Sequence, residues 1–138
     1  MLDLLIKNAD IIDGSGKSAY KVNVGIKDGK IRIGERQALE EISADGLTLT
    51  PGFIDAHSHS DITLTDDFSS LSKLSQGITT HVGGNCSISM FPVKDNNDFL
   101  KFAKAYCTCP SVPEDITNLS SPESYAKYLR NTPLRLNM

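Results

Sequence analysis

A chain of 138 residues, 39% hydrophobic and 22% charged, has the composition of an ordinary globular domain, which excludes a disordered or low-complexity polypeptide. Its formal charge of −3 provides no basic surface for nucleic acid or anionic membrane, so neither is an expected partner. No apolar run approaches the roughly 18 residues of a membrane span, and Met1-Leu2-Asp3 opens no basic-then-apolar leader, so the expected location is cytoplasmic, with Cys86, Cys107 and Cys109 as reduced thiols.

The first 50 residues read as short strands separated by tight turns. Leu2 to Ile6 and Ile11-Ile12 are apolar runs, followed by Val22, Val24 and Ile26 alternating with Asn23 and Gly25. After Asp28-Gly29, Ile31 and Ile33 alternate again. A period of two on both sides of Asp-Gly predicts a hairpin, because both residues tolerate the positive φ angles of the turn. A second pair, Asp45-Gly46, precedes Leu47 and Leu49, and the whole segment is expected to be a small antiparallel β unit. Gly14-Ser15-Gly16-Lys17 lacks the leading glycine of a phosphate loop and has hairpin-like flanks, which makes it a turn.

The pattern then changes. Phe53-Ile54 leads a mostly apolar strand, and Asp66-Asp67 opens a helix with Phe68, Leu71 and Leu74 three apart, closed by Gly77. Ile78 to Val82 forms the next strand. Strand, helix, glycine and strand make a βαβ unit, whose two strands should run parallel. Phe99, Leu100, Phe102, Ala103 and Tyr106 keep helical spacing. Ser121-Pro122-Glu123 reads as an N-cap, a proline at N1 and an acid in the first turn of a helix that buries Tyr125, Tyr128 and Leu129. Leu134 to Met138 alternates like the beginning of a third strand, an ending that implies further chain to pair with it.

Chemistry concentrates after the first strand of the second half. Residues two apart on a strand point to one face, so His57 and His59 can aim at one metal ion. The C-terminal end of a parallel strand is also where α/β barrels carry their sites. As a bare three-residue pattern, however, His-x-His occurs more often as a surface loop. Cys86 follows the neighbouring strand and is either a thiolate ligand or a small buried thiol. Asp55 shares the parity of the histidines.

Pro51-Gly52-Phe53-Ile54-Asp55-Ala56-His57-Ser58-His59, preceded by a β unit and followed by a βα turn, resembles the first barrel strand of the amidohydrolase superfamily. Gln76-Gly77-Ile78-Thr79-Thr80, with Gly83-Gly84-Asn85-Cys86-Ser87-Ile88-Ser89, resembles the second strand of its D-aminoacylase branch, the N-acyl-D-amino-acid deacylases. In that branch a Gly-Asn-Cys turn supplies a thiolate ligand. The resemblance therefore implies zinc as cofactor, with His57, His59 and Cys86 as metal ligands. Asp55 would orient a histidine from behind, or be a polar strand residue. Asp61 would touch substrate or cap local backbone, the cap being preferred. Ser87 stands where the family has glycine, and Ser58, Ser60 and Asp61 replace the usual His-Thr-His-acid context. His81 is expected to turn away from the ligands and pack or hydrogen-bond; Cys107-Thr108-Cys109 is too closely spaced for a Cys-x-x-Cys site.

The fold so implied is α/β: a small β-sandwich segment at 1–50, then at 51–138 the first βα units of a metal-dependent (β/α)8 TIM barrel, incomplete because a full barrel takes about 250 residues. The implied activity is metal-assisted hydrolysis of a linear amide in an N-acyl-D-amino acid. The catalytic aspartate and the remaining ligands would come from later strands, so these residues alone are expected to be inactive, and to lean on the absent barrel segment or on self-association. The competing readings are a dihydroorotase-like or hydantoinase-like cyclic amidase, which does not need Cys86, and a non-catalytic remnant that binds metal weakly.

Overall fold

The structure, a computed structural model, describes residues 1–34, 37–60, 67–92, 95, 101, 105 and 121–138. Its contacts divide the chain into two units, Met1–Pro51 and Gly52–Met138. The strands of the first are β1 (Leu2–Lys7), β2 (Asp10–Ile11), β3 (Tyr20–Lys21), β4 (Val24–Lys27), β5 (Lys30–Ile33), β6 (Ala38–Ser43) and β7 (Thr48–Leu49).

They form two sheets, ordered β5-β4-β1-β6 and β3-β2-β7. The predicted hairpin is β4 and β5, paired antiparallel from Val24↔Ile33 to Lys27↔Lys30. Asp28 and Gly29 turn it with φ of 49° and 69°. Gly14 and Gly16, with φ near 80°, confirm the Gly-Ser-Gly-Lys segment as a turn, in which Ser15 N–H donates to Asp13 Oδ1.

The expected antiparallel arrangement needs correction: the unit is mixed. β6 pairs parallel with β1, Leu2 opposite Ala38, and β7 pairs parallel with β2, Asp10 opposite Thr48. Alternation tells which residues share a face, but it does not say which distant strand lies alongside. The Ala-Leu-Glu-Glu-Ile-Ser of β6 is mostly exposed and carries no alternation to announce it.

Burial explains the order of the first sheet. Leu5, with no exposed area, lies in the central strand, and Leu2 is equally enclosed. Ala9, Ile11, Val24 and Ala44 form a core cluster, against which Ile6, Val22 and Leu49 pack. Each fully buried leucine contributes about 1.5–3 kcal/mol relative to exposure.

Asp3 fastens β1 to the hairpin turn. It accepts the Asp28 N–H at 2.8 Å and the Lys27 ammonium at 3.0 Å. These two bonds, the backbone one foremost, hold its carboxyl below the ordinary value of 3.8. A carboxylate with a depressed folded-state pKa stabilises above the unfolded value and loses that contribution as pH falls through the folded value. Asp3→Asn should therefore melt lower than wild type at neutral pH, and the gap should close below about pH 3.8. Melting curves across pH 2–7 that run parallel throughout would contradict this.

The second unit begins with β8 (Phe53–Asp55), α1 (Asp67–Leu74) and β9 (Ile78–His81), and ends with α2 (Pro122–Asn131). β8 and β9 are parallel, as the strand-helix-strand pattern predicts. Helix α1 closes on Gly77, φ 80°, whose N–H donates to Leu74 O at 2.9 Å. Gly52 is required by close approach: a Cβ there would lie 2.0 Å from Thr79 Oγ1 on the neighbouring strand.

The C-terminal segment adds a third parallel line. Thr80 bridges Asn137, with Asn137 N–H donating to Thr79 O and His81 N–H donating to Asn137 O. Ser121 caps α2 with Pro122 behind it, and its capping-box partner is Ser124 rather than an acid. Tyr125 is buried and packs on Phe91, ring centroids 5.3 Å apart. The helix predicted around Phe99–Tyr106, and Cys107 and Cys109, lie outside the described residues. No helix among the described residues is long and apolar enough to cross a membrane.

Candidate metal centre

Regular strand pairing in β8 ends at Asp55, so His57 and His59 stand on the loop beyond it rather than on the strand itself. Strand-like bonding nonetheless continues a little further. Val82 N–H donates to Asp55 O at 2.8 Å, and Ser58 N–H donates to Val82 O at 2.9 Å. The side chains keep alternating as well: His57 and His59 are exposed, Ser58 and Ser60 buried. Two imidazoles are thereby delivered to the same open side, ring centroids 5.5 Å apart at 76°.

Cys86 arrives from the turn after β9. Asn85 shapes that turn by donating its amide to Val82 O at 2.8 Å, and the same Nδ2 reaches Ser58 O at 3.3 Å. One side chain thus ties the two loops together. Cys86 and Ser87 both have left-handed backbone, φ 55° and 60°, a conformation that costs a non-glycine residue about 1–2 kcal/mol. A glycine would adopt this conformation without strain; Ser87 bears the cost. The result is that Cys86 Sγ lies 3.1 Å from His57 Nε2. Donor atoms of His57, His59 and Cys86 all fall within 4.8 Å of one another.

Behind the histidines lies a polar cluster that sequence reasoning missed. Asp55 accepts the His57 backbone N–H at 3.2 Å, so it grips the loop rather than the imidazole. Its other oxygen accepts Lys73 Nζ at 2.5 Å, and the same ammonium donates to Ser58 Oγ at 3.1 Å. Ser58 Oγ and Ser60 Oγ share a hydrogen bond of 2.7 Å. Lys73 first, and then the His57 N–H, hold the Asp55 carboxyl below its ordinary 3.8. In sequence Lys73 is an unmarked last-turn lysine, the common partner of a helix C-terminus.

His81 is buried, pairs in register with Asp55, and is not part of the donor cluster. Asp61 lies outside the described residues. A hollow of about 450 Å³ in the first unit is lined by Ile6, Ile11, Val24, Ile26 and other apolar side chains. None of the three donors borders it, so it is not this site.

No protein-family model matches the chain. The D-aminoacylase of Alcaligenes xylosoxydans xylosoxydans is 32% identical over 145 aligned residues, covering 98% of this chain and 28% of the relative. A crystal structure of N-acyl-D-glutamate deacylase from Bordetella bronchiseptica, complexed with zinc and a phosphonate inhibitor, matches with a TM-score of 0.62 and 41% identity, covering 67% of this chain and 20% of that one. A D-aminoacylase structure with a binuclear metal centre matches with a TM-score of 0.75 and 28% identity, covering 99% of this chain and 28% of that one.

The chain is thus homologous to the N-terminal portion of the amidohydrolase superfamily. Within it, its homologues and structural neighbours over most of its length are the D-aminoacylases and N-acyl-D-amino-acid deacylases. It spans little more than a quarter of the D-aminoacylase it matches, 28%.

Proposed function

We propose that these residues supply the opening strands and part of the metal site of a zinc-dependent hydrolase that cleaves the linear amide of N-acyl-D-amino acids. The observation that carries the reading is the convergence of His57, His59 and Cys86 from two adjacent parallel strands, donor atoms within 4.8 Å. On this reading Met1–Pro51 is the β-sandwich segment and Gly52–Met138 the first βα units of a (β/α)8 barrel.

The donor set fits zinc. Two imidazole nitrogens and a thiolate are among its preferred ligands, and they would form part of its coordination shell. His57 Nε2 and Cys86 Sγ, 3.1 Å apart, are near enough for both to hold one ion. When bound, zinc supplies Lewis-acid chemistry, polarising the acyl carbonyl and acidifying water.

The remaining work of this chain is placement. Asn85 locks one loop to the other, and Ser58 anchors the histidine loop on its buried side. Asp55 is committed to Lys73 and to the His57 N–H, and its depressed pKa makes it a poor proton carrier at neutral pH. The proton shuttle, as the resemblance to the deacylases implies, is assigned to a carboxylate outside these 138 residues.

A chimera tests the reading. The 138 residues replace the aligned N-terminal segment of the Alcaligenes D-aminoacylase. Turnover of N-acetyl-D-amino acids by the folded chimera, lost on His57→Ala, is the expected result, while the 138-residue chain alone turns over none. A folded chimera that is inactive, or one indifferent to His57→Ala, would count against it.

A further inference from the structure

We infer that Lys73 is a positioning residue for the metal site: from α1 it clamps both flanks of His57 and so fixes the loop that presents the two histidines. This rests on the metal-site reading above. The geometry is specific. One ammonium, with only 18% of its side chain exposed, bridges the Asp55 carboxylate at 2.5 Å and the Ser58 hydroxyl at 3.1 Å. Asp55 in turn holds the His57 N–H. Ser58 Oγ accepts the Ser60 N–H at 3.1 Å and shares a hydrogen bond with Ser60 Oγ, which brackets His59 from its other side. Each histidine is thus flanked by residues of one polar cluster whose cation is Lys73.

Two physical effects make the clamp matter. A loop ordered before the metal arrives does not lose conformational freedom on binding it. A single cation beside a cationic site would repel the metal, but this one is paired with Asp55 and sits on the buried side of the loop. A lysine is suited to the task because its three donors can serve a carboxylate and a hydroxyl together.

The test is cobalt(II) titration of the 138-residue chain, followed by the thiolate-to-cobalt absorption band and by competition with a chelator. Wild type, Lys73→Met and Lys73→Arg are compared, with circular dichroism on the metal-free proteins as the folding control. Removing a group that orients ligands from behind typically weakens metal binding about 10- to 100-fold, which is the loss expected for Lys73→Met. Lys73→Arg, which keeps a cation with several donors, should restore most of it. A purely structural lysine would lower the melting temperature and leave affinity and band unchanged in the folded protein.

Folded Lys73→Met with wild-type affinity overturns the inference. If Lys73→Met does not fold, Ser58→Ala decides instead: it releases one arm of the clamp without changing charge, and unchanged affinity there overturns the inference too. Absence of the thiolate band in wild type is a different failure, that of the metal-site reading itself.

Discussion

Cys86→Ser is expected to abolish the thiolate-to-cobalt band and to weaken metal binding by more than the roughly 100-fold that marks the upper range for groups behind the ligands. A serine hydroxyl replaces the sulfur that lies 3.1 Å from His57 Nε2, but it stays protonated at neutral pH and is a hard, weak donor where sulfur is soft. Stability of the metal-free chain should barely respond. Cys86 is exposed, and surface substitutions usually stay within about 0.5 kcal/mol. Titrating both proteins and melting both without metal separates the two effects. A band surviving in Cys86→Ser would show that another thiol binds the metal. An equal loss of stability and affinity would show that Cys86 serves the fold.

The second large effect lies far from any chemistry. Leu5→Ala empties the centre of β1, where the side chain has no exposed area. Such truncations cost about 2–5 kcal/mol, a large share of the roughly 5–15 kcal/mol that stabilises a typical domain. With a urea m-value of about 1–3 kcal/mol per molar, the midpoint for this unit should fall by roughly 0.7 M or more. Ile31→Ala is the control, since that residue is 70% exposed on the hairpin edge. Equal midpoint shifts for the two would mean that Leu5 is not the keystone its burial indicates.

Much of this was legible in the sequence, for reasons that are local. Asp28-Gly29 announces its turn because only a few residues tolerate φ of 49° and 69° in succession. Gly77 and Ser121-Pro122 mark helix ends because the unpaired amides and carbonyls there demand particular residues. His57 and His59 stand out by alternation, and Cys86 by its turn. What escaped reading was pairing at a distance. Nothing in Ala38–Ser43 says that it lies beside β1, and the mixed character of the first sheet follows from that. Lys73 escaped for the same reason: its role comes from reaching Asp55 and Ser58 across the crossover, a contact that no spacing within α1 encodes.

The position of β1 has a consequence for how the first unit is made. The first strand of the chain lies inside its sheet, between β4 and β6, while the edges are later segments. During synthesis Leu2–Lys7 emerges before either of its neighbours, gaining the antiparallel one only when Val24–Lys27 has emerged and the parallel one only after Ala38–Ser43. Until then an apolar strand with both edges open waits in solution, the kind of nascent segment that chaperones bind. Birth order and pairing order therefore differ in this unit: the β4–β5 hairpin, made after β1, is free to form before β1 has both of its neighbours.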